Sequence, residues 1–472
     1  MASPIPSGDV AARLNRLPVA TRSHKRWAVP LAGVFLFELA DIQTFGLVAP
    51  ELKEQWSLSV GDIGLVTSLA FLGMFFGAII GGRVSDVLGR KWPLIGSVAF
   101  FSVFSILGAV APNLAVMGVV RVLTGVGLTA MTMIGLAYIS EMYPRDLRGR
   151  YLAVIFGTGL LGIPIVSWFA RLVVPMGEHG WRWVFVFGGL GLVFAAWMIP
   201  ALPESARWQA DRGRSADAEA LTARLEEEAR AAIGGPLPEP EIEAAPPRDG
   251  RMAELFDRTY RKRTITLVVV NVFVLLGFYG FNGWVPTLLV EHGFKTVESL
   301  TYTSIVSIGA IPGALLAWPF IDRIERKIAA GAMYVLIAVL ALVYGFAGQV
   351  AVILVSGFLI SMLLQTTTVF MYTYGPEIYP TRLRAVGGGL GNGTGRLATF
   401  GGGNLVPVIY ASFGYAAVFI YIAVVLAAAG TLLAAFGERT TRRSLELIAD
   451  DTAPPDTVKP QEASTGPERA TP

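Results

Sequence analysis

The chain has 472 residues, of which 53% are hydrophobic and 15% are charged. A soluble protein of this length could not cover its surface with so few charged side chains, so most apolar residues must face lipid. The sequence contains no cysteine, which excludes disulfide bonds, thiolate metal sites and cysteine nucleophiles. The basic residues behind the net charge of +3 lie between apolar stretches, and we interpret them as a signal of membrane topology rather than of nucleic-acid binding.

A membrane span needs about 20 mainly apolar residues to cross about 30 Å of hydrocarbon, and twelve stretches of the sequence are long enough. Their length and the lack of two-residue alternation favour helices over barrel strands. The sequence therefore predicts an all-α membrane protein with twelve transmembrane helices. In chain order the predicted spans are 27–49, 63–83, 93–111, 114–139, 150–173, 181–201, 264–291, 300–321, 327–347, 350–373, 384–410 and 415–436.

Two short loop motifs occur in both halves of the chain. The charged residues of the loop after the second span recur after the eighth, and a Glu-x-Tyr-Pro motif with a following Arg recurs as well. One offset of 236 positions relates the matched pairs, which are Asp86 and Asp322, Glu141 and Glu377, and Arg148 and Arg384. A single offset shared by residue pairs in two different loops is not expected by chance. We therefore predict two pseudo-symmetric six-helix halves, 27–201 and 264–437.

Three polar regions flank and join these halves, and they cover 1–26, 202–263 and 438–472. Within the central loop, 215–233 predicts a charged surface helix, and 234–250 is rich enough in Pro and Glu to predict a flexible linker. The outermost stretches, 1–20 and 449–472, are polar and rich in Pro, Ser, Thr and Ala, so we predict that they are disordered.

Lys and Arg collect in every second loop. Roughly thirty of the 38 basic residues fall on the side that holds both termini and the central loop, and cytoplasmic loops carry such an excess. The other side keeps only Lys53, Arg171, Arg182 and Lys295. We therefore predict a multi-pass protein of the cell membrane, plasma or inner, with cytoplasmic N- and C-termini.

Two motifs resemble those of a known family. The stretch Gly82–Lys91 resembles the signature loop of the major facilitator superfamily, and Pro203–Trp208 is similar to the Pro-Glu-Ser-Pro-Arg-Trp motif that follows the sixth helix of sugar porters. The resemblance covers about 25–440. It implies a transporter of small molecules rather than an enzyme, with no cofactor, the proton gradient as its energy source, and a monomer in the lipid bilayer.

Within that superfamily, the first span resembles the aromatic acid:proton symporters. Their Asp-Gly-Tyr-Asp-Leu-Gln pattern corresponds to Glu38–Gln43 here, followed by Pro50. Glu38 and Asp41 fall on the two acids of that family, whereas Leu39 and Ala40 replace its Gly and Tyr.

Four charged residues lie deep inside predicted spans, away from the span ends: Glu38, Asp41, Arg121 and Arg396. A rise of 1.5 Å per residue places Asp41 and Arg121 at one depth, both about 20 Å above the inner face, so we expect them to meet. By resemblance, sugar porters use such a pair for proton coupling; the alternative is a static buried ion pair. Glu38 shares the helix face of Asp41, and it is either a second proton carrier or a group nearer the inner vestibule.

Arg396 lies in a glycine-rich span without an evident acidic partner in its own half. A buried guanidinium needs an anion, and the carboxylate of a substrate would supply one through bidentate hydrogen bonds. The alternative is that Arg396 bonds to backbone carbonyls and packs its helix. Aromatic and amide residues near mid-depth complete the candidate substrate site: Tyr279, Trp284, Asn282, Gln43, Gln365 and Tyr372.

The repeated loops hold the candidate gate. We predict that their charged residues latch the halves on the cytoplasmic side; the alternative is ordinary surface ion pairing worth under about 1 kcal/mol per pair. The first half supplies Asp86, Arg90, Glu141, Arg148, Glu204 and Arg207, and the second half supplies Asp322, Arg326, Glu377 and Arg384.

The sequence as a whole predicts a proton-coupled importer of a small organic anion, an aromatic or other monocarboxylate. The alternative of the same fold is a neutral-solute, sugar-like porter or a drug or metabolite exporter. No Ser-His, Cys-His, metal or phosphate-loop constellation supports an enzyme, and no catalytic or metal-binding residue is assigned.

Overall fold

The computed structural model describes residues 7–240, 251–316, 324–380 and 383–440, and all regular structure in these ranges is helical. The first half contains the spans Arg22–Gln55, Val60–Leu88, Lys91–Ala109, Leu114–Met142, Arg145–Leu160 continued by Gly162–Val173, and Arg182–Gly188 continued by Gly191–Ala201. The second half contains Arg261–Asn282 continued by Val285–Glu291, Thr296–Ser307 continued by Ala310–Leu316, Arg326–Gly345, Val350–Glu377, Arg384–Gly402 continued by Leu405–Phe413, and Tyr415–Phe436. The predicted all-α architecture of twelve transmembrane helices is confirmed.

Eleven of these spans are long and apolar enough to cross a membrane by composition alone, counted over the described ranges. The one of the twelve that does not meet this criterion is the eleventh in chain order, because eight of the 19 residues in Arg384–Gly402 are glycine and lower its hydropathy. Glycine lets helices approach closely. A Cβ at Gly395 would lie only 2.5 Å from a methyl carbon of Leu275 on the seventh span, so a larger residue here would force the Leu275 side chain to shift.

The duplication extends from the loops into the membrane. On the second span, a Cβ at Gly73 or Gly77 would overlap backbone carbonyl oxygens of the fourth span. On the eighth span, Gly309 and Gly313 stand in the same relation to the tenth. Each glycine of the second pair follows its counterpart by 236 positions, which is the offset of the loop motifs. The residues whose carbonyl oxygens they approach keep the same offset: Val122 corresponds to Phe358, and Val126 to Met362. Equivalent helices therefore cross at equivalent points in both halves.

The prediction that the whole stretch 1–20 is disordered is wrong, because Ser7–Asn15 forms a helix. Its apolar side chains recur at helical spacing, and Val10, Leu14 and the following Leu17 are buried. They pack in one cluster with the central-loop helix Ser215–Ile233, which occupies the stretch for which a helix was predicted. Residues 241–250 of the predicted linker and 441–472 of the predicted tail lie outside the described ranges.

Ion pairs hold the two helices together. The guanidinium of Arg13 lies 2.9 Å from Glu226 and 2.6 Å from Glu219, and Arg16 lies 2.6 Å from Glu226. Burial alone would raise the pKa of Glu226, but hydrogen bonds from Arg13 and Arg16 outweigh it and lower that pKa below its ordinary value. The N-terminal helix is thereby fixed to the central loop. We call the face that carries these helices the terminal face and the opposite one the distal face.

Candidate functional site

Asp41 and Arg121 meet in the interior of the first half, at the common depth that helix geometry predicts. Asp41 is fully buried, and its Oδ2 lies 3.0 Å from Nη1 of Arg121. Ser105 on the third span donates a hydrogen bond of 2.5 Å to Oδ1 of Asp41. Thr44 supplies an oxygen 3.3 Å from the guanidinium. The carboxylate is therefore paired and hydrogen-bonded on both oxygens, as a buried charge requires.

Glu38 lies one helical turn nearer the terminal face and has different neighbours. It is 4% exposed, and its carboxyl group shares a hydrogen bond with the hydroxyl of Thr132 on the fourth span. That hydroxyl also lies 3.0 Å from the carbonyl oxygen of Leu128. Within the described ranges no ion pair within 4 Å joins Glu38, although the charge of Arg396 acts on it from the second half.

Arg396 crosses from the eleventh span to the first half. Its Nη1 lies 3.3 Å from Oγ1 of Thr129 and 3.0 Å from the sulfur of Met74. Both partners are uncharged, and a thioether is a weak acceptor. Tyr279 and Tyr372, from the seventh and tenth spans, are also within electrostatic range of the guanidinium. Arg396 thus lies where the two halves meet, with two tyrosines beside it.

The space beside Tyr279 is narrow, whereas that beside Tyr372 is wider. A cavity of about 30 Å³ between the halves is lined by Gln43, Phe71, Arg121 and Tyr279, among others; it is much smaller than a typical ligand pocket of about 300–1,000 Å³. Toward the terminal face, Tyr372 is 56% exposed although its ring lies 6.4 Å from that of Phe156 on the first half. The cavity beside Tyr279 is therefore too small for a ligand in this conformation, whereas the ring of Tyr372 is exposed.

The structure brings together only part of the predicted substrate site. Gln43 and Tyr279 line the same small cavity. Trp284 is only 2% exposed and packs in the apolar core instead, and Asn282 donates a hydrogen bond to the Phe278 carbonyl of its own helix. Gln365 is buried on the tenth span. Trp284 and Asn282 therefore contact the protein itself rather than the cavity around Tyr279.

The first-half loop motifs form one network. Arg90 lies 2.8 Å from Glu141 and 3.2 Å from Asp86, and the Asp86 side chain is 74% exposed. The acid at the helix N-terminus is Glu204, which accepts backbone N–H bonds from Arg90 and Lys91 at the start of the third span. Glu204 therefore occupies the N-terminus of the third span, while Asp86 lies beside Arg90.

Two further gate candidates of the first half lie beside this network. Arg207 donates a hydrogen bond of 3.1 Å to Asn15 of the N-terminal helix, and burial lowers its pKa. Arg148 lies within electrostatic range of Glu141. Arg207 therefore connects the Pro203–Trp208 motif to the N-terminal helix.

The second half repeats the central ion pair of this network. Arg326 lies 2.9 Å from Glu377, which is the pair of Arg90 and Glu141 displaced by 236 positions in each member. Asp322 and the side chain of Arg384 lie outside the described part of the structure. The pairs of Arg90 with Asp86 and Glu141, and of Arg326 with Glu377, each lie within one half.

A link between the halves lies on the distal face, where none was predicted. Lys53 at the end of the first span forms an ion pair with Glu291, whose other oxygen accepts a hydrogen bond of 3.2 Å from Tyr410. Arg171 donates a hydrogen bond of 2.5 Å to Thr301. The sequence offered one signal, since Lys53 and Arg171 belong to the few basic residues of the outer loops. These contacts join the two halves on the distal face.

The described ranges contain no group of three or more His, Cys, Asp or Glu side chains that could hold a metal ion.

Comparison with known proteins agrees with this architecture. The family model described as Major Facilitator Superfamily matches residues 31–403. The D-xylose transporter XylE of E. coli, in a partially occluded inward-open conformation, superposes with a TM-score of 0.72 at 17% identity, over 89% of this chain and 99% of that one. At that identity the likeness shows the fold alone.

Sequence relatives are closer. The YyaJ protein of Bacillus subtilis is 38% identical over 443 residues, covering 93% of this chain and 98% of its own. The niacin transporter NiaP of Acinetobacter baylyi is 28% identical, covering 93% and 99%. A gallate transporter of Pseudomonas putida is 30% identical, covering 78% and 82%.

Proposed function

This chain belongs to the Major Facilitator Superfamily, and from that premise we propose that it performs proton-coupled symport of a small organic anion, an aromatic or other monocarboxylate, by alternating access. That it is a multi-pass membrane transporter follows from the family. The observation that carries the proposal is Arg396, a guanidinium between the two halves with uncharged hydrogen-bond partners. The relatives named as carriers of niacin and gallate favour a carboxylate.

Arg396 suits an anion for a physical reason. A guanidinium offers planar, bidentate hydrogen bonds to a carboxylate, and the Tyr372 side chain from the tenth span is exposed. Tyr279 and Tyr372 would flank an aromatic ring and donate hydroxyl hydrogen bonds. Gln43 and Gln365 remain part of the proposed site, and Trp284 and Asn282 would act on substrate only after the seventh span rearranges.

Asp41, Glu38 and Arg121 are the proposed proton-coupling residues. A carboxylate beside Arg stays charged, whereas one that loses its cation in a dry site takes up a proton. We therefore propose that Asp41 takes up a proton when it separates from Arg121, and releases the proton when the two residues pair again. The transported molecule and protons are the only partners required, and we propose a monomer.

The repeated loop network is the proposed gate on the terminal face. Asp86→Asn is expected to slow turnover several-fold and to leave substrate affinity within about twofold, because Asp86 lies at the surface and contacts Arg90 rather than the site. Transport rate and equilibrium binding, measured on the same purified protein, separate the two effects. A collapse of binding in a well-folded variant would contradict the gate.

The ion pair of Lys53 and Glu291 is the proposed latch on the distal face. Lys53→Ala is expected to expose the distal side more often, by about two- to fivefold for a pair worth about 0.5–1 kcal/mol. Because the chain has no cysteine, a single Thr67→Cys at the cavity reports this opening through its labelling rate with an impermeant maleimide.

Two further variants make that measurement decisive. The charge swap Lys53→Glu with Glu291→Lys should restore slow labelling, and Glu54→Gln, an exposed acid beside the latch, should leave it unchanged. A swap that labels as fast as Lys53→Ala would show that the pair does not close the distal side.

Uptake by whole cells tests the function as a whole. Labelled nicotinate, gallate, other carboxylates and sugars are supplied with and without a protonophore, and accumulation of a carboxylate that the protonophore abolishes is the expected result. Accumulation of sugars alone would favour the neutral-solute porter, and efflux would favour an exporter. Reporter fusions at residues 240 and 472 are expected to show the cytoplasmic location that we propose for both termini and the central loop.

A further inference from the structure

We propose that Glu38 competes with the substrate anion for Arg396, so that the anion site opens only when a proton neutralises Glu38. This inference rests on the proposed function. It gives the two buried acids of the first span separate tasks. Asp41 is tied to Arg121 within the first half, whereas Glu38 contacts the fourth span one helical turn from the residue that Arg396 of the second half contacts.

The contacts of Thr132 show that the site accommodates a neutral Glu38. The hydroxyl of Thr132 lies within hydrogen-bond distance of both the Glu38 carboxyl group and the Leu128 carbonyl oxygen. A hydroxyl has one proton to donate, so it cannot serve a carboxylate and a carbonyl together. When Glu38 carries a proton, Glu38 donates to Thr132 and Thr132 donates to Leu128, and every group is satisfied.

The contacts of Arg396 show what the cation lacks. Its hydrogen-bond partners, Thr129 and Met74, are uncharged. Glu38 contacts Thr132 and Arg396 contacts Thr129. These threonines lie three residues apart on the fourth span and so on one face of it, which brings the acid and the cation near each other across the two halves. A buried cation needs one anion nearby. Either ionised Glu38 or a bound carboxylate supplies that charge, and both together would leave an excess negative charge in the site.

The other groups around Glu38 do not supply a competing charge. Tyr279 and Tyr372 face it from the seventh and tenth spans, and Asp41 lies one turn away, paired with Arg121. The second, fifth and sixth spans carry their charged residues near their ends. Uptake of one anion at Arg396 is therefore balanced by uptake of one proton at Glu38, with no other bond made or broken.

Binding should consequently strengthen as the pH falls. Where Glu38 is ionised in the empty protein, the Kd of the anion is expected to rise about tenfold per pH unit, since one proton is taken up per anion. Glu38→Gln imitates the protonated acid, so its Kd should be nearly independent of pH and lower than that of wild type at the alkaline end.

The test is calorimetric titration of the full-length protein in detergent at several pH values. The probes are nicotinate, gallate, benzoate and 4-hydroxybenzoate, with nicotinamide as a neutral comparison. Glu54→Gln, the same chemical change at an exposed position of the first span, should keep the wild-type pH dependence. Titrations in weakly buffered solution should show uptake of about one proton per anion by wild type.

The outcomes separate this inference from the function on which it rests. If none of the acids binds wild type at any pH, the proposed function fails. If acids bind but Glu38→Gln keeps the wild-type pH dependence, only the competition fails. Should Glu38→Gln not fold, wild type decides alone, because anion binding without proton uptake overturns the competition. Glu38→Asp, which keeps a titratable group, should retain a pH dependence.

Discussion

Arg396→Ala is expected to weaken binding of the transported carboxylate by about 1.5–3 kcal/mol, which is roughly 10- to 150-fold in Kd. The change removes the charge-assisted hydrogen bond that Arg396 is proposed to donate to the carboxylate. Arg396→Lys keeps the charge and loses the planar fork, so its loss should be smaller. Titration of each purified variant with the acid measures both effects.

A neutral analogue distinguishes recognition from packing. The amide of the substrate should bind wild type poorly, because it brings no charge to Arg396, and it should gain relative to the acid in Arg396→Ala. A structural arginine would weaken acid and amide alike. An unchanged preference for acid over amide would therefore remove Arg396 from substrate recognition and favour the neutral-solute porter.

Asp41→Asn is expected to abolish uphill accumulation and to leave exchange of substrate across the membrane. An amide at this position cannot release a proton, so the transporter changes conformation only when it is loaded. Exchange needs no net change in protonation, whereas net uptake requires the empty protein to return. Proteoliposomes loaded with unlabelled substrate measure exchange, and an imposed pH gradient measures accumulation.

The environment of Asp41 makes this a demanding substitution. Its carboxylate is bonded to Arg121 and to Ser105, and removing one partner of a buried pair costs about 3–5 kcal/mol in many proteins. The exchange assay is therefore also the control for folding. Glu54→Gln should behave as wild type in both assays, and normal proton-driven accumulation by Asp41→Asn would exclude Asp41 from coupling.

Much of the architecture follows from the sequence because it depends on local properties. Hydrophobic length fixes where helices cross the membrane, and the rise per residue placed Asp41 and Arg121 at one depth. The repeated loop motifs predicted two halves, and the glycine contacts of the second and eighth spans keep their offset. The eleventh span, Arg384–Gly402, was predicted although its glycines lower its hydropathy.

The N-terminal helix was missed because it is stabilised from outside. Ser7–Asn15 is short, and isolated helices of this length are marginal in water. Its polar, Pro-containing surroundings predicted disorder, while the burial of Val10 and Leu14 against the central loop decided the outcome. The residues that stabilise this helix lie about 210 positions away in the sequence, as Glu226 does from Arg13. No local sequence pattern reveals a partner at that distance.

What the sequence by itself determined was the set of spans, the duplication, and the charged residues that face the interior. Only the tertiary structure decided which of them meet across the halves: Arg396 with the environment of Glu38, and Lys53 with Glu291. The depth of a residue follows from its own helix. Contact between the halves depends on how two packed bodies tilt against each other, and side-chain spacing along one helix carries no information about that tilt.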